Sequence, residues 1–344
     1  MKKRYWIAGA CGLVGVAWAA KMLRRPTDVD WKEHAHELHH ADRSRFADVE
    51  GARVHYQEAG AASAPPILLI HGFTASNFVW NDVLLPIAEA GFHVIAPDLV
   101  GSGFSEKPKH GEYTIEAQAR MIVGLMEHLA IERATLVGSS YGGAVAATCA
   151  LDYPARVGRL VLVDAVINDY AKRRNLLRLA ASPLLGDLIS PLMLGSRRMV
   201  HQQMRNGYAL ENRHLFDEKR MTAHHRPLRA ANTQRAALRT LRRWDAARIE
   251  EEAHRIEQPT LMIWGEVDPE IPLAHGRSLV EKIPDSRLII LSQCGHMPME
   301  EYPRIFTEVL TEFCTPKAVS DDGQWTIDER LWSIVDSLTS SKVS

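Results

Sequence analysis

Ser140, His296 and a small set of aspartates stand where this 344-residue chain could do chemistry. Ser140 is the centre of Gly138-Ser139-Ser140-Tyr141-Gly142, a G-x-S-x-G pattern between an apolar run, Ala134 to Val137, and a helix-like stretch, Ala144 to Ala150. A serine on such a strand-to-helix turn sits in a strained bend that small neighbours tolerate, beside the unpaired N–H groups of a helix N-terminus. Its hydroxyl becomes a nucleophile only when a base takes the proton. Of the 16 histidines, His296 in Gly295-His296-Met297-Pro298 directly follows the last apolar run. His71 also ends a run, but within His71-Gly72-Phe73 the backbone is the expected contributor. The base needs an acid to orient it and to stabilise its protonated form. Asp268 follows the run Thr260 to Trp264 and is the expected acid; Asp164, after Leu160 to Val163, is the alternative. Asp98 in Asp98-Leu99-Val100-Gly101-Ser102-Gly103 reads as a turn residue.

Attack by Ser140 on an ester carbonyl would place negative charge on oxygen, which calls for two preorganised N–H donors. The strand-turn-helix arrangement points to the backbone N–H of Tyr141, the residue after the nucleophile, and of Phe73, in the loop after His71-Gly72. The side chains of Phe73, Tyr141 and Met297 are expected to line the substrate pocket.

Strands must carry these residues. Pro66 to Ile70 is an apolar run too short for a helix, as expected of a strand buried on both faces, and Val94 to Ala96, Ala134 to Val137, Leu160 to Val163, Thr260 to Trp264 and Leu288 to Leu291 repeat it. Phe46 to Gln57 reads as a hairpin turning near Glu50-Gly51. Helical periods lie between the runs: Ile115, Ala119, Ile122, Leu125 and Met126 share a face behind Thr114, and Ile305, Phe306, Val309 and Leu310 repeat the pattern. The alternation predicts an α/β fold, a doubly wound, mostly parallel sheet with its site at the carboxyl ends of the strands. Residues 166–244 hold no strand-like run and are expected to form an inserted helical cap broken at Pro183, Pro191 and Pro227. The core is then 46–165 with 245–315.

Composition sets the outer limits. With 46% hydrophobic and 24% charged residues and a net charge of −1, the chain is neither disordered nor a general polyanion binder, so no nucleic-acid partner is expected. The charge is unevenly spread: residues 166–244 hold 16 Lys/Arg against 5 Asp/Glu, a net +11, against −12 elsewhere. Such a cap suits an anionic lipid surface, although solvated or core-paired arginines are the plainer reading. Tyr5 to Ala20 carries no charge and is flanked by Lys2-Lys3-Arg4 and by Lys21, Arg24 and Arg25. As a helix it would span ~24 Å, short of a hydrocarbon core of ~30 Å, so spanning needs local thinning or snorkelling by the flanking Lys and Arg; residues 1–25 are expected to be a membrane anchor, with a cleaved export signal or a surface-lying helix as the alternatives. Residues 26–45 read as a solvated His-rich linker, in which His36 and His40 could share a helical face without further ligands to complete a metal site. Residues 316–344 read as an amphipathic tail with Leu331, Trp332, Val335 and Leu338 on one face. The four cysteines have no metal or disulfide spacing, and no metal or organic cofactor is expected.

The linked set His71-Gly72-Phe73, Asp98 to Ser105, Gly138 to Gly143, Gly265 to Pro272 and Gly295 to Pro298, in the order Ser140, Asp268, His296, resembles the α/β-hydrolase superfamily over about residues 46–314. Within it the chain is similar to bacterial membrane-associated esterases and lipases and to monoacylglycerol lipase-like proteins. The resemblance implies a Ser-His-Asp hydrolase of apolar acyl esters. C–C hydrolases of meta-cleavage products typically carry Gly-Pro-Gly in the oxyanion loop and Trp after the histidine; here those positions read Phe73-Thr74-Ala75 and Met297. Epoxide hydrolases and haloalkane dehalogenases use an aspartate nucleophile where this chain has Ser140. A C–C hydrolase or a cofactor-free perhydrolase on the same residues, and a low-turnover binding protein for an apolar ligand, are the alternatives.

Overall fold

The computed structural model describes residues 26–170 and 175–315. Eight strands form one sheet: β1 (Ser44–Val49), β2 (Ala52–Ala59), β3 (Pro66–Ile70), β4 (His93–Pro97), β5 (Ala134–Ser139), β6 (Val157–Val163), β7 (Thr260–Gly265) and β8 (Ser286–Leu291). Their order is β1-β2-β4-β3-β5-β6-β7-β8. The β1–β2 and β2–β4 pairs are antiparallel, and all pairs from β4 to β8 are parallel. Both faces are covered. In β3, Leu68 and Ile70 join one apolar cluster while Ile67 and Leu69 join the other, because successive strand residues point to opposite sides.

Helices α1 (Asn81–Glu89), α2 (Ile115–His128) and α3 (Tyr141–Asp152) precede the cap. Thr114 starts α2 as expected, its hydroxyl accepting the Ala117 N–H at 3.1 Å. The cap contains α4 (Asn175–Ala181), α5 (Leu185–Gly195), α6 (Arg197–Gly207), α7 (Glu218–Leu228) and α8 (Ala231–Arg243), and α9 (Leu273–Lys282) and α10 (Pro303–Cys314) complete the core. Residues of α2, α3 and α9 fill the cluster on one face of the sheet, and those of α1 and α10 the other.

Two expectations about the chain path need correction. Pro191 lies inside α5 and Pro227 inside α7, so neither separates cap helices. Residues 26–45 are no solvated linker but a docked strap. Asp28 pairs with Lys107 at 2.8 Å, Trp31 packs against Phe46, His55 and Phe104, and the His39 carbonyl accepts from Gln57 at 2.7 Å. His36 and His40 share no helix: the one lies in a short 3-10 turn, the other is left-handed at φ 53°. Among the described residues no helix is long and apolar enough to cross a membrane; the apolar stretch 5–20 and the tail 316–344 lie outside them.

Candidate active site

Strand register assembles the site. Ser139 pairs with Val163 and Val163 with Ile263, while Gly265 pairs with Leu291. The segments leaving β5, β6, β7 and β8 therefore emerge side by side, carrying Ser140, Asp164, Asp268 and His296 to one edge of the sheet. Ser140 has φ 53° and ψ −119°, a conformation rare for a residue with a side chain. Backbone bonds hold it there: its N–H donates to Val163 at 2.9 Å, and its carbonyl accepts from Gly143 at 3.0 Å and Val166 at 2.9 Å. The flanking glycines are required for space. A methyl at Gly142 would stand 2.2 Å from the Ile70 carbonyl oxygen, and one at Gly138 would stand 2.2 Å from that of Gly142.

His296 is buried, and its Nδ1 meets Asp268 Oδ2 at 2.7 Å. The other carboxylate oxygen, Oδ1, accepts the N–H groups of Glu270 at 2.7 Å and Ile271 at 3.1 Å, so the turn itself holds the acid. Asp164 is the neighbour behind. Its Oδ1 accepts the Gly265 N–H at 2.9 Å, and burial, then the adjacent Asp268 charge, push its pKa well above the usual carboxylate range. Asp164, Asp268 and His296 bring donor atoms within 4.8 Å of one another, a spacing open to a metal ion. Their chemistry fits a proton network better, because both oxygens of Asp268 already accept hydrogen bonds.

Burial alone would lower the pKa of His296, but Asp268, then Glu270 and Asp164, outweigh it and hold the imidazole up at about 10. Glu270 contributes from the far side: its Oε2 stands 3.9 Å from His296 Nε2.

Ser140, His296, Phe73 and Met297 line one cavity of about 180 Å³, closed over by the cap through side chains such as Leu238 and Leu241. Tyr141 does not line it, contrary to the sequence expectation for its side chain. Its ring is buried against Trp244 at 4.9 Å and faces Phe73 at 6.4 Å, because opening α3 turns the side chain inward beneath the cavity wall. The Tyr141 N–H, at the first position of that helix, has no intrahelical acceptor. None of the turn and loop hydrogen bonds among the described residues uses the Phe73 N–H. His71 is buried away from the cavity, with Nε2 accepting the Leu99 N–H at 3.0 Å. Asp98 is also buried and ties its turn together, accepting from Asn77 at 2.7 Å and Phe104 at 2.9 Å and meeting His55 Nδ1 at 2.7 Å.

Two carboxylates placed around His296 escaped the sequence reading. Glu270 lies only two residues past Asp268, so its place in that turn was a usable signal. Glu301 gave none. Its Oε1 accepts the N–H of Gly295 at 2.9 Å and of Met297 at 3.4 Å, on either side of His296. Its Oε2 accepts the Ala209 N–H at 3.0 Å and the Asn212 amide at 2.9 Å, both from the cap. The Gly207 carbonyl accepts the His296 N–H at 2.7 Å. The histidine loop therefore hangs between core and cap.

A family model described as alpha/beta hydrolase fold matches residues 65–303. An uncharacterised hydrolase of Bacillus subtilis is 29% identical over 268 residues, covering 77% of this chain and 95% of its own. A 2-hydroxy-6-oxo-6-phenylhexa-2,4-dienoate hydrolase of Comamonas testosteroni is 29% identical over 296 residues, covering 80% of this chain and 98% of its own. Among solved structures, the enol-lactonase of Burkholderia xenovorans matches at a TM-score of 0.69 and 24% identity, over 79% of this chain and 100% of that one. With the sheet order, the strained serine turn and a family match across most of its length, the chain belongs to the α/β-hydrolase fold family.

Proposed function

We propose that this protein hydrolyses carboxylic esters of apolar acyl groups by acyl transfer to Ser140. His296 Nε2 takes the Ser140 proton as Oγ bonds to the acyl carbon, and the N–H groups of Phe73 and Tyr141 hold the developing oxyanion. The alcohol leaves with the proton from His296. Water, deprotonated by His296, then attacks the acyl carbon and releases the acid and the serine. Asp268 keeps the proton of His296 on Nδ1, so that Nε2 is free to act. The observation that carries this reading is the His296 Nδ1 to Asp268 contact at 2.7 Å in a cavity shared with the strained Ser140. The largely apolar lining supports an apolar acyl group, and residues 5–20 support attachment to a membrane. Ser140→Ala assayed on a p-nitrophenyl ester series is expected to lose roughly 10³-fold or more in turnover. Wild-type turnover in that variant would remove Ser140 from the reaction.

The similarity to a C–C hydrolase supports a second reading, hydrolysis of a vinylogous diketone on the same residues. Phe73-Thr74-Ala75 and Met297 weigh against it. Side-by-side kcat/KM values on diketone and ester substrates decide between the two.

A further inference from the structure

The cap carries apolar side chains on the wrong side as well as the right one. Toward the cavity, α4 and α5 present Leu177, Ala180, Met193 and Leu194. Toward solvent these helices and the N-cap residue Leu184 between them present Leu179, Leu184, Leu185, Leu188 and Leu192, with Leu184 85% and Leu188 76% exposed. Leu188 and Leu192 lie four residues apart on one line of α5, and Leu184 stands exposed at the N-cap just before that helix. A helix that is apolar around its circumference is normally buried, and a leucine ridge in water marks a surface that meets something apolar.

Two further observations say what that is. Exposed arginines flank the ridge: Arg178 adjoins Leu179, and Arg197 and Arg198 follow α5. They belong to a cap whose net charge is +11, which opposes a cationic partner and suits an anionic one. The start of the described chain is also seated on this cap. The Pro26 carbonyl accepts the Ala231 N–H at 2.8 Å, and the Thr27 carbonyl accepts that of Asn232 at 2.9 Å, at the N-terminus of α8. Helix α8 runs alongside α5, with Arg242 on Asp187 at 2.8 Å toward one end and Gln234 against Gly195 toward the other. Five residues separate Pro26 from the apolar stretch 5–20, a reach of at most ~22 Å from Ala20 to Pro26.

We infer that the α4–α5 leucine ridge docks on an anionic lipid bilayer, on the same side as the N-terminal apolar segment, and delivers membrane-borne esters through the cap to Ser140. Docking itself stands on the ridge, the charge and the seat of Pro26; the delivery step rests on the hydrolase reading. One helix layer then separates lipid from the cavity, so a long acyl chain need not cross water.

The test uses the full chain with Cys11→Ser and Leu188→Cys, labelled with an environment-sensitive fluorophore; Cys149, Cys294 and Cys314 are buried. Addition of phosphatidylcholine vesicles containing phosphatidylglycerol is expected to shift the emission to the blue and to expose the label to quenching by lipid-borne nitroxide. A second variant, Leu184→Glu with Leu188→Glu, is expected to keep its turnover on a water-soluble short-chain ester. It should lose about tenfold or more on a long-chain ester embedded in those vesicles. A label that stays unshifted and unquenched on vesicle-bound protein overturns the inference. So does a label already blue-shifted without vesicles, because the chain itself would then cover the ridge. If the wild type cleaves no soluble ester while the label still inserts, the hydrolase reading fails and the docking stands.

Discussion

Asp164 and Asp268 stand side by side at the ends of neighbouring strands, yet only Asp268 touches the imidazole of His296. The geometry divides their labour. Asp268 accepts two N–H groups and faces the imidazole, while burial and then the adjacent Asp268 carboxylate drive Asp164 toward its neutral form. Asp268→Asn is expected to lower kcat by roughly 10³- to 10⁴-fold, because the amide favours the wrong tautomer of His296. Asp164→Asn, which resembles the neutral acid, should cost no more than about tenfold. Steady-state kinetics of the two variants would check this, and equal losses would count against the division.

The pH profile should show the carboxylates around His296. A base works only when neutral, and Asp268, Glu270 and Asp164 all favour the protonated imidazole. The acid limb of kcat/KM is therefore expected above that of an ordinary histidine, with activity still rising into the alkaline range. Glu270→Gln removes one of those charges from the Nε2 side and should move the limb to lower pH. An unmoved limb in that variant would place Glu270 outside the electrostatics of the base.

Glu301 should act as a positioning residue. Its two oxygens face N–H donors on both sides, so the amide of Glu301→Gln meets another donor whichever way it turns. A loss of about 1–3 kcal/mol in stability is expected, with a fall in kcat larger than any change in KM. Thermal melts and kinetics on a soluble ester provide the comparison, and a variant with normal kcat would show that the cap does not hold His296.

Asp98 offers a stability test away from the cavity. Burial would raise its pKa, but His55 and the Asn77 N–H outweigh burial and depress it to about 2. A depressed carboxylate stabilises the fold above its unfolded pKa, and that contribution disappears as pH falls from about 4 toward 2. His55→Ala leaves a buried carboxylate without its side-chain partner and should cost about 3–5 kcal/mol. Denaturant titrations at neutral and acid pH would measure both effects.

Much of the fold was legible because buried parallel strands are short, continuous apolar runs, and each such run became a strand of the sheet. That Ser140, Asp164, Asp268 and His296 come to one edge of the sheet was legible because each follows one of those runs, and strand ends in a doubly wound sheet converge. The strap at 26–45 was misread because its polar composition gives no hint of Trp31 packing on His55 or of the Asp28 pair with Lys107. Pro191 misled because the lost hydrogen bond and the ring's clash with the preceding turn disfavour a proline within a helix but do not forbid it where packing offsets the cost.

The amino-acid order by itself determined which residues carry reactive groups and which runs become strands, since both follow from side-chain type and local period. Tertiary structure alone decided which of two aspartates meets His296, that Tyr141 turns away from the cavity, and that Glu301 ties the histidine loop to the cap. Those outcomes depend on strand register and on contacts between segments up to about a hundred residues apart, and such distances leave no trace in local sequence.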